Sequence, residues 1–484
     1  MTLNLSKRMF FNLTYCYISI PILIFLLGWM KLIYAIPLVA ALLFILYKVI
    51  SVKTENESIL FSRSDQKKLL IILVIILIWV LISGIGKLAY QTEDHLWRNA
   101  MFETLVNEDW PIIKQINVNG VTETRGMSYY IGFWLPCALV GKVFGLKVGF
   151  LSQIVWAVFG ISLFYYGVCI LLKKIRVLPL IIFILFSGMD IIGYYLIGED
   201  LSSITQTQHL EWWTLFQFSS NTTQLFWVFN QAIPAWLIVI ALLLNQQNRN
   251  IGLFISAALI CCTLPLIGML PIIAYQCLNK NYQNKKFGIE WWRSWIKDTV
   301  SYVNLFSILI SVIFFLYLIK TSDEAGGIGL FSLQNGGWLT VLVFLLVEIG
   351  GIVSVCYFTQ RNNPLFYICV LWLCACPLIK AYGGDNFCMR ASIPGLTVLF
   401  IYFVQSIYEI DFSNKYYAIT VLAVIFFGAI TPLNEIVRNI SNTQERYIMN
   451  ESVNAASVGT DKVLQNDYES TDCNKNLFFQ YLAK

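Results

Sequence analysis

Charge is scarce in this chain: Asp, Glu, Lys and Arg make up 13% of its 484 residues, against about 25% in an ordinary soluble domain. Only two histidines occur, His95 and His209. The in–out alternation that a membrane barrel would need is missing too. Those shortages exclude a soluble globular fold and a β-barrel. A net charge of only +5 is too small to imply nucleic acid, and none is expected as a partner. The twelve cysteines form no zinc pattern, with no CxxC matched by a second one or by spaced histidines. Cys16, Cys169, Cys261, Cys262, Cys369, Cys374 and Cys376 lie in apolar runs, where cysteine behaves as a small hydrophobe.

What is abundant is apolar length. Hydrophobic residues make up 58% of the chain, and runs such as Leu69–Ile85 (LLIILVIILIWVLISGI) are long enough as helix to cross about 30 Å of hydrocarbon. The expected fold class is therefore an all-α polytopic membrane protein, a helical bundle with about 13 transmembrane helices and additional surface helices.

Basic loops set the expected orientation. Two spans at about 10–29 and 32–50 precede a basic loop 51–68, which shares the cytoplasmic side with the N-terminus. The first span reads as uncleaved, since no small-residue cleavage site follows it. Span 69–89 then emerges into a polar outer region, 90–147, whose segment 129–145 is short, broken by Pro136, and reads as a half-buried surface helix. Spans 148–172 and 177–197 flank the cytoplasmic cluster Lys173, Lys174 and Arg176, and an outer loop 198–222 precedes span 223–244. Segment 251–278, with Pro265 and Pro271, reads as two short helices bent near Thr263–Pro265. The Trp-rich basic stretch 279–299 suits an interfacial helix. Spans at about 300–319, 337–358, 364–379, 394–408 and 416–433 follow, and a polar tail, 434–484, lies outside by parity. This divides the chain into 1–68, 69–299, 300–433 and 434–484.

Three charged clusters fall in the outer loops. Glu93, Asp94, His95 and Arg98 follow the third span; a carboxylate at the boundary of oil and water can serve as general base, or Thr92 or Asp94 can simply cap a helix. Asp190 ends a span, and His209 and Glu211 sit ahead of an amide- and aromatic-rich stretch containing Asn221, Asn230 and Gln231. Such a surface suits a sugar, and equally suits an interfacial aromatic belt. Lys380, Asp385, Asn386 and Arg390 surround Gly383–Gly384; outer-face cations need a counterion, which a lipid phosphate or an internal Asp385–Arg390 pair would supply.

From Glu93–Asp94 through YYIGFWLPCALVGKVFG to the span ending KKIR, with the proline-broken segment 251–278 after it, the layout resembles the GT-C superfamily of membrane glycosyltransferases. The resemblance is to the branch with aminoarabinose transferases and protein O-mannosyltransferases, and covers roughly residues 69–280. Two spans are extra at the N-terminus, and Met127–Ser128 stand where the family commonly has His-Pro-Pro. The resemblance implies a polyprenyl-phosphate-linked sugar donor and a glycan, lipid or protein acceptor, at the extracytoplasmic face of a bacterial-type plasma membrane. It further implies Asp94 as base with Glu93 second, and Arg390 and Lys380 on the donor phosphate. The remaining polar residues of the three clusters, His95, Arg98, Asp190, His209, Glu211, Asn221, Asn230, Gln231, Asp385 and Asn386, would line the substrate site, with no metal or other cofactor. An O-antigen-type polymerase or ligase, and a transporter, are the competing expectations.

Overall fold

The computed structural model describes residues 4–51, 58–60, 63–118, 120–199, 209–245, 248–279, 288–319, 329–334, 336–380, 386–409, 414–448, 460–465 and 470–484. The chain is a helical membrane protein. Among the described residues, six helices are long and apolar enough to cross a membrane: Lys7–Trp29, Leu32–Ser51, Leu146–Leu171, Asn221–Leu244, Gly337–Gln360 and Lys415–Glu445. The count becomes seven if Ile289–Thr299 and Tyr302–Leu318, which meet at 64°, are one span. The larger expected number is not reached by full-length helices, because several apolar runs are divided or short.

The clearest division is at 177–197. Sequence pattern suggests one span there, but two seven-residue helices form, Leu178–Ile184 and Asp190–Leu196. The backbone between them bonds elsewhere. Phe186 O accepts from Asn221 N at 3.1 Å, and Met189 N donates to Val347 O at 3.1 Å. Buried backbone groups in a membrane must find such partners. Gly337–Gln360 is disturbed at the same level by a π-helical turn, Leu346–Gly350.

Residues 251–278 form Ile251–Cys261 and Thr263–Asn279. The ends away from the break meet, since Asn248 Nδ2 donates to Cys277 O at 3.1 Å. The break between them reaches Gly132, whose N–H donates to Ile260 O at 2.9 Å. The pair is thus a re-entrant hairpin. Ile289–Thr299 lies across its base, with Trp295 Nε1 donating to Cys277 O at 3.0 Å while Ile289 and Trp292 stay exposed.

The two ends of the bundle are distinguishable. At one, the strand Asn4–Ser6 pairs antiparallel with Ser58–Leu60. At the other, Glu93–Asn107 and the hairpin Ile113–Val118 with Val121–Met127 cover the bundle. The helix Leu135–Phe144, ten residues long, packs there against Leu146–Leu171 after a turn at Gly145 (φ 92°). The tail belongs to this end as well: Lys415–Ile448 runs beyond its apolar stretch, and Ser470–Asp472 adds a third strand against Arg125–Met127. Lys484 N donates to Trp29 O at 3.0 Å, and Trp29 packs on Trp110. These contacts put the end of the first helix, the hairpin and the tail together.

Candidate functional site

The third helix, Arg63–Ile82, ends in a tight turn with left-handed backbone at Gly84, Gly86 and Lys87. Gly84 is required: a Cβ there would stand 2.5 Å from Tyr90 O. Gln91 fixes the turn to the next helix, donating to Gly84 O at 2.8 Å and accepting from Asn99 Nδ2 at 2.8 Å. Glu93–Asn107 therefore starts in a set orientation, with Asp94, His95 and Arg98 in its first two turns. The side chain of Glu93 lies outside the described residues.

Asp94 and Arg98, one turn apart, form a 2.8 Å ion pair. The Asp94 side chain is 43% exposed whereas that of Arg98 is 8% exposed, so the carboxylate faces out and the guanidinium in. Burial would raise the Asp94 pKa, but the charges of Arg98 and Arg390 and the Arg98 hydrogen bond outweigh it and hold the carboxyl below its usual value. Arg390 is thus close enough to act on Asp94, although 296 residues later in the chain (390 − 94). It sits near the end of the short helix Asn386–Ala391, hydrogen-bonded to Asn386. That helix is pressed onto the re-entrant hairpin, where a Cβ on Gly268 would meet Ala391 O at 2.0 Å.

Arg98 Nε and Nη1 are buried without a hydrogen-bond partner among the described residues. A buried guanidinium with two open donors is costly unless an anion or water completes it. Its guanidinium carbon lies over the Phe229 ring, 6.0 Å from the ring centre. Phe229 begins a polar step in the Asn221–Leu244 helix just past a kink at Val228 (φ −135°, ψ 34°). Asn230, fully buried, has neither side-chain atom hydrogen-bonded, and Gln231 donates to Tyr130 Oη at 3.0 Å.

His95 is keyed to the same kink. Its Nε2 lies 2.9 Å from Phe226 O, and burial with the Arg98 charge lowers its pKa to about 4. It is therefore neutral near pH 7 and donates to the carbonyl, an inward structural contact.

The other expected residues are dispersed. Glu211 is wholly buried and accepts from Gln217 Nε2, Ser220 N and Thr223 Oγ1 at 2.6, 2.9 and 2.5 Å, which makes it part of the cap of the Asn221–Leu244 helix. Burial and the nearby Asp190 charge push its pKa up to about 8, against the pull of these hydrogen bonds. Asn221 Nδ2 donates to Phe183 O at 2.9 Å, closing the end of the broken helix. His209 does not pair with Glu211: its Nδ1 stands 3.4 Å from Glu435 Oε1, between Trp212 and Trp227. Arg438 already pairs with that glutamate at 2.6 Å, and burial together with the Arg438 charge lowers the His209 pKa to about 3. Asp190 lies inside the bundle, at the start of the second half of the divided helix, accepting from Ser187 Oγ and Thr431 Oγ1. Lys380 is exposed, on a two-residue strand paired with Gly329–Leu330, its Nζ 5.0 Å from the Phe331 ring centre. Asn386 is exposed, and Asp385 lies outside the described residues.

Sequence reasoning did not single out Glu348, Glu435 or Arg438. Glu348 is a lone acid in the apolar run 337–358, which is itself a signal, since an ionisable residue inside a span marks function by default. Among the described residues, no three His, Cys, Asp or Glu side chains converge as metal ligands. No protein-family model, curated protein or solved structure matches the chain.

Proposed function

We propose that the chain is a membrane glycosyltransferase that takes a sugar from a polyprenyl-phosphate carrier and passes it to an acceptor hydroxyl at the hairpin-covered face. The observation that carries this reading is the convergence of Asp94, Arg98 and Arg390 beside a re-entrant hairpin. Two guanidinium groups suit a phosphate, and Arg98 keeps Nε and Nη1 open as donors while its Nη2 holds Asp94. As the sugar–phosphate bond breaks, negative charge grows on the phosphate, and the same cations stabilise it. Asp94 remains ionised at neutral pH, so it can orient the acceptor hydroxyl and take its proton as the new bond forms. The basic cluster Lys173, Lys174 and Arg176 on the opposite side of this topology supports an extracytoplasmic position for the site.

A second reading, transport, is favoured by the divided helix at 185–189 and the acids Asp190 and Glu348 inside the bundle. One comparison separates the two. Cell-envelope glycans and lipid-linked sugars are profiled by mass spectrometry in cells with the wild-type protein, without it, and with Asp94→Asn. A sugar lost in both altered strains supports transfer. Solute movement by the purified protein in liposomes free of lipid-linked sugar, with unchanged glycans, selects transport.

A further inference from the structure

We propose that Asp190 and Glu348 form a proton-binding site inside the bundle, one proton being shared between their carboxyl groups across the divided helix. Both side chains are buried, Asp190 at 1% and Glu348 at 2% exposure. They come from different segments, Asp190 from the first residue of Asp190–Leu196 and Glu348 from the middle of the π-helical turn. Met189 N to Val347 O holds the two backbones together at 3.1 Å.

The donors around the pair are unevenly spent. Ser187 Oγ and Thr431 Oγ1 both reach Asp190 Oδ2, at 3.1 and 2.8 Å. Trp213 Nε1 reaches Glu348 Oε1 at 3.2 Å. Glu348 Oε2 is buried, receives no hydrogen bond from any donor among the described residues, and its carboxyl faces Asp190. Room for it is made by Gly188, where a Cβ would stand only 2.1 Å away. An acceptor with no donor, set against a second carboxyl, is completed by a proton lying between the two.

Charge balance requires the same thing. The ionisable neighbours acting on Glu348 are Asp190 and Glu211, both acidic; from Lys415–Ile448 the facing group is the neutral Thr431. Two carboxylates in contact in a medium of low polarity cannot both be ionised. One proton, taken from water, leaves the pair with a single negative charge and forms an O–H···O bond. Neither Asp190 nor Glu348 takes part in the proposed transfer at Asp94, so this inference stands apart from that reading.

The test is infrared difference spectroscopy on the full-length protein in lipid nanodiscs, without substrate, between about pH 5 and pH 9. A carbonyl band of a protonated carboxylic acid is expected in the wild type, moved by deuterium oxide and by ¹³C-labelled glutamate. Because Glu211, with its pKa raised to about 8, contributes a carboxylic-acid band of its own, the comparison is made in Glu211→Gln, where a band should remain and the added Glu348→Gln should remove it. Equal carbonyl intensity in wild type and Glu348→Gln across that range overturns the proposal. Loss of the band when sodium is added at constant pH also overturns it, in favour of a cation site. If Glu348→Gln fails to fold, an absent shift on glutamate labelling of Glu211→Gln, which removes the competing Glu211 carboxyl, is the overturning result.

Discussion

His95 Nε2 lies 2.9 Å from the carbonyl oxygen of Phe226, and this contact ties the helix carrying Asp94 and Arg98 to the kinked helix carrying Phe229, Asn230 and Gln231. A kink disturbs the ladder of helix hydrogen bonds, so an external donor beside it is stabilising. His95→Ala should lower stability by about 1–3 kcal/mol through the lost buried bond. His95→Gln, which keeps a donor, should recover part of it. Chemical denaturation in detergent, with both variants beside the wild type, measures the difference.

Removing the Asp94 carboxylate should affect activity far more than stability. Asp94→Asn is expected to slow transfer by about 10²–10⁴-fold, the usual contribution of a positioned base. Its ion pair is partly solvent-exposed, so unfolding temperature should move by about 2 °C or less. Single-turnover transfer assays and a melting curve on the same preparation check both halves.

Arg98→Gln should weaken binding of a polyprenyl phosphate by roughly tenfold to a hundredfold, the value of a charge-assisted hydrogen bond. Added salt should weaken the wild type in the same direction by screening. Titration of the purified protein with the lipid phosphate at two ionic strengths reads both effects, and a variant that binds as tightly as the wild type removes Arg98 from the phosphate site.

Stability should fall on both sides of a maximum in pH. The His95 pKa drops from 6.5 unfolded to about 4 folded, and that of His209 to about 3. Between those values the unfolded chain binds protons that the folded chain refuses, so stability is full above 6.5 and is lost as pH falls toward 4 and 3. Glu211 acts oppositely: its pKa rises from 4.5 to about 8, so stability is full below 4.5 and is lost as pH climbs through 8. His209→Gln should flatten the acid limb and Glu211→Gln the alkaline one in denaturant titrations across the range.

Deleting 470–484 should loosen the hairpin end. It removes the strand on Arg125–Met127, the Asn476 bonds to Leu316 O and Ile319 O, and the cover that Phe478 gives Phe25 and Tyr317. Faster proteolysis within 108–128 is the expected outcome.

The sequence made the helical membrane class plain, because continuous apolar runs and sparse charge have few other solutions. Asp94 and Arg98 were legible as members of one cluster, because they lie four residues apart; that they pair follows from that spacing on one helix. The position of Arg390 beside them was not, since it depends on how the hairpin and Asn386–Ala391 pack. His209 and Glu211 are close in sequence but diverge in space: backbone geometry turns one toward Glu435 and the other into the cap at Ser220. The break at 185–189 was hidden as well. FSGMD contains one glycine, and its broken bonds are satisfied by Asn221 and Val347, far along the chain.

The three-stranded sheet sets a schedule for biogenesis. Asn117 accepts from Gln465, 348 residues further on, and the third strand follows immediately after. During synthesis the hairpin must wait, with one edge unpaired, while every intervening helix enters the bilayer. An unpaired edge is a template for wrong partners, so assembly of this end is a late step, and the waiting chain depends on shielding until its last strand arrives.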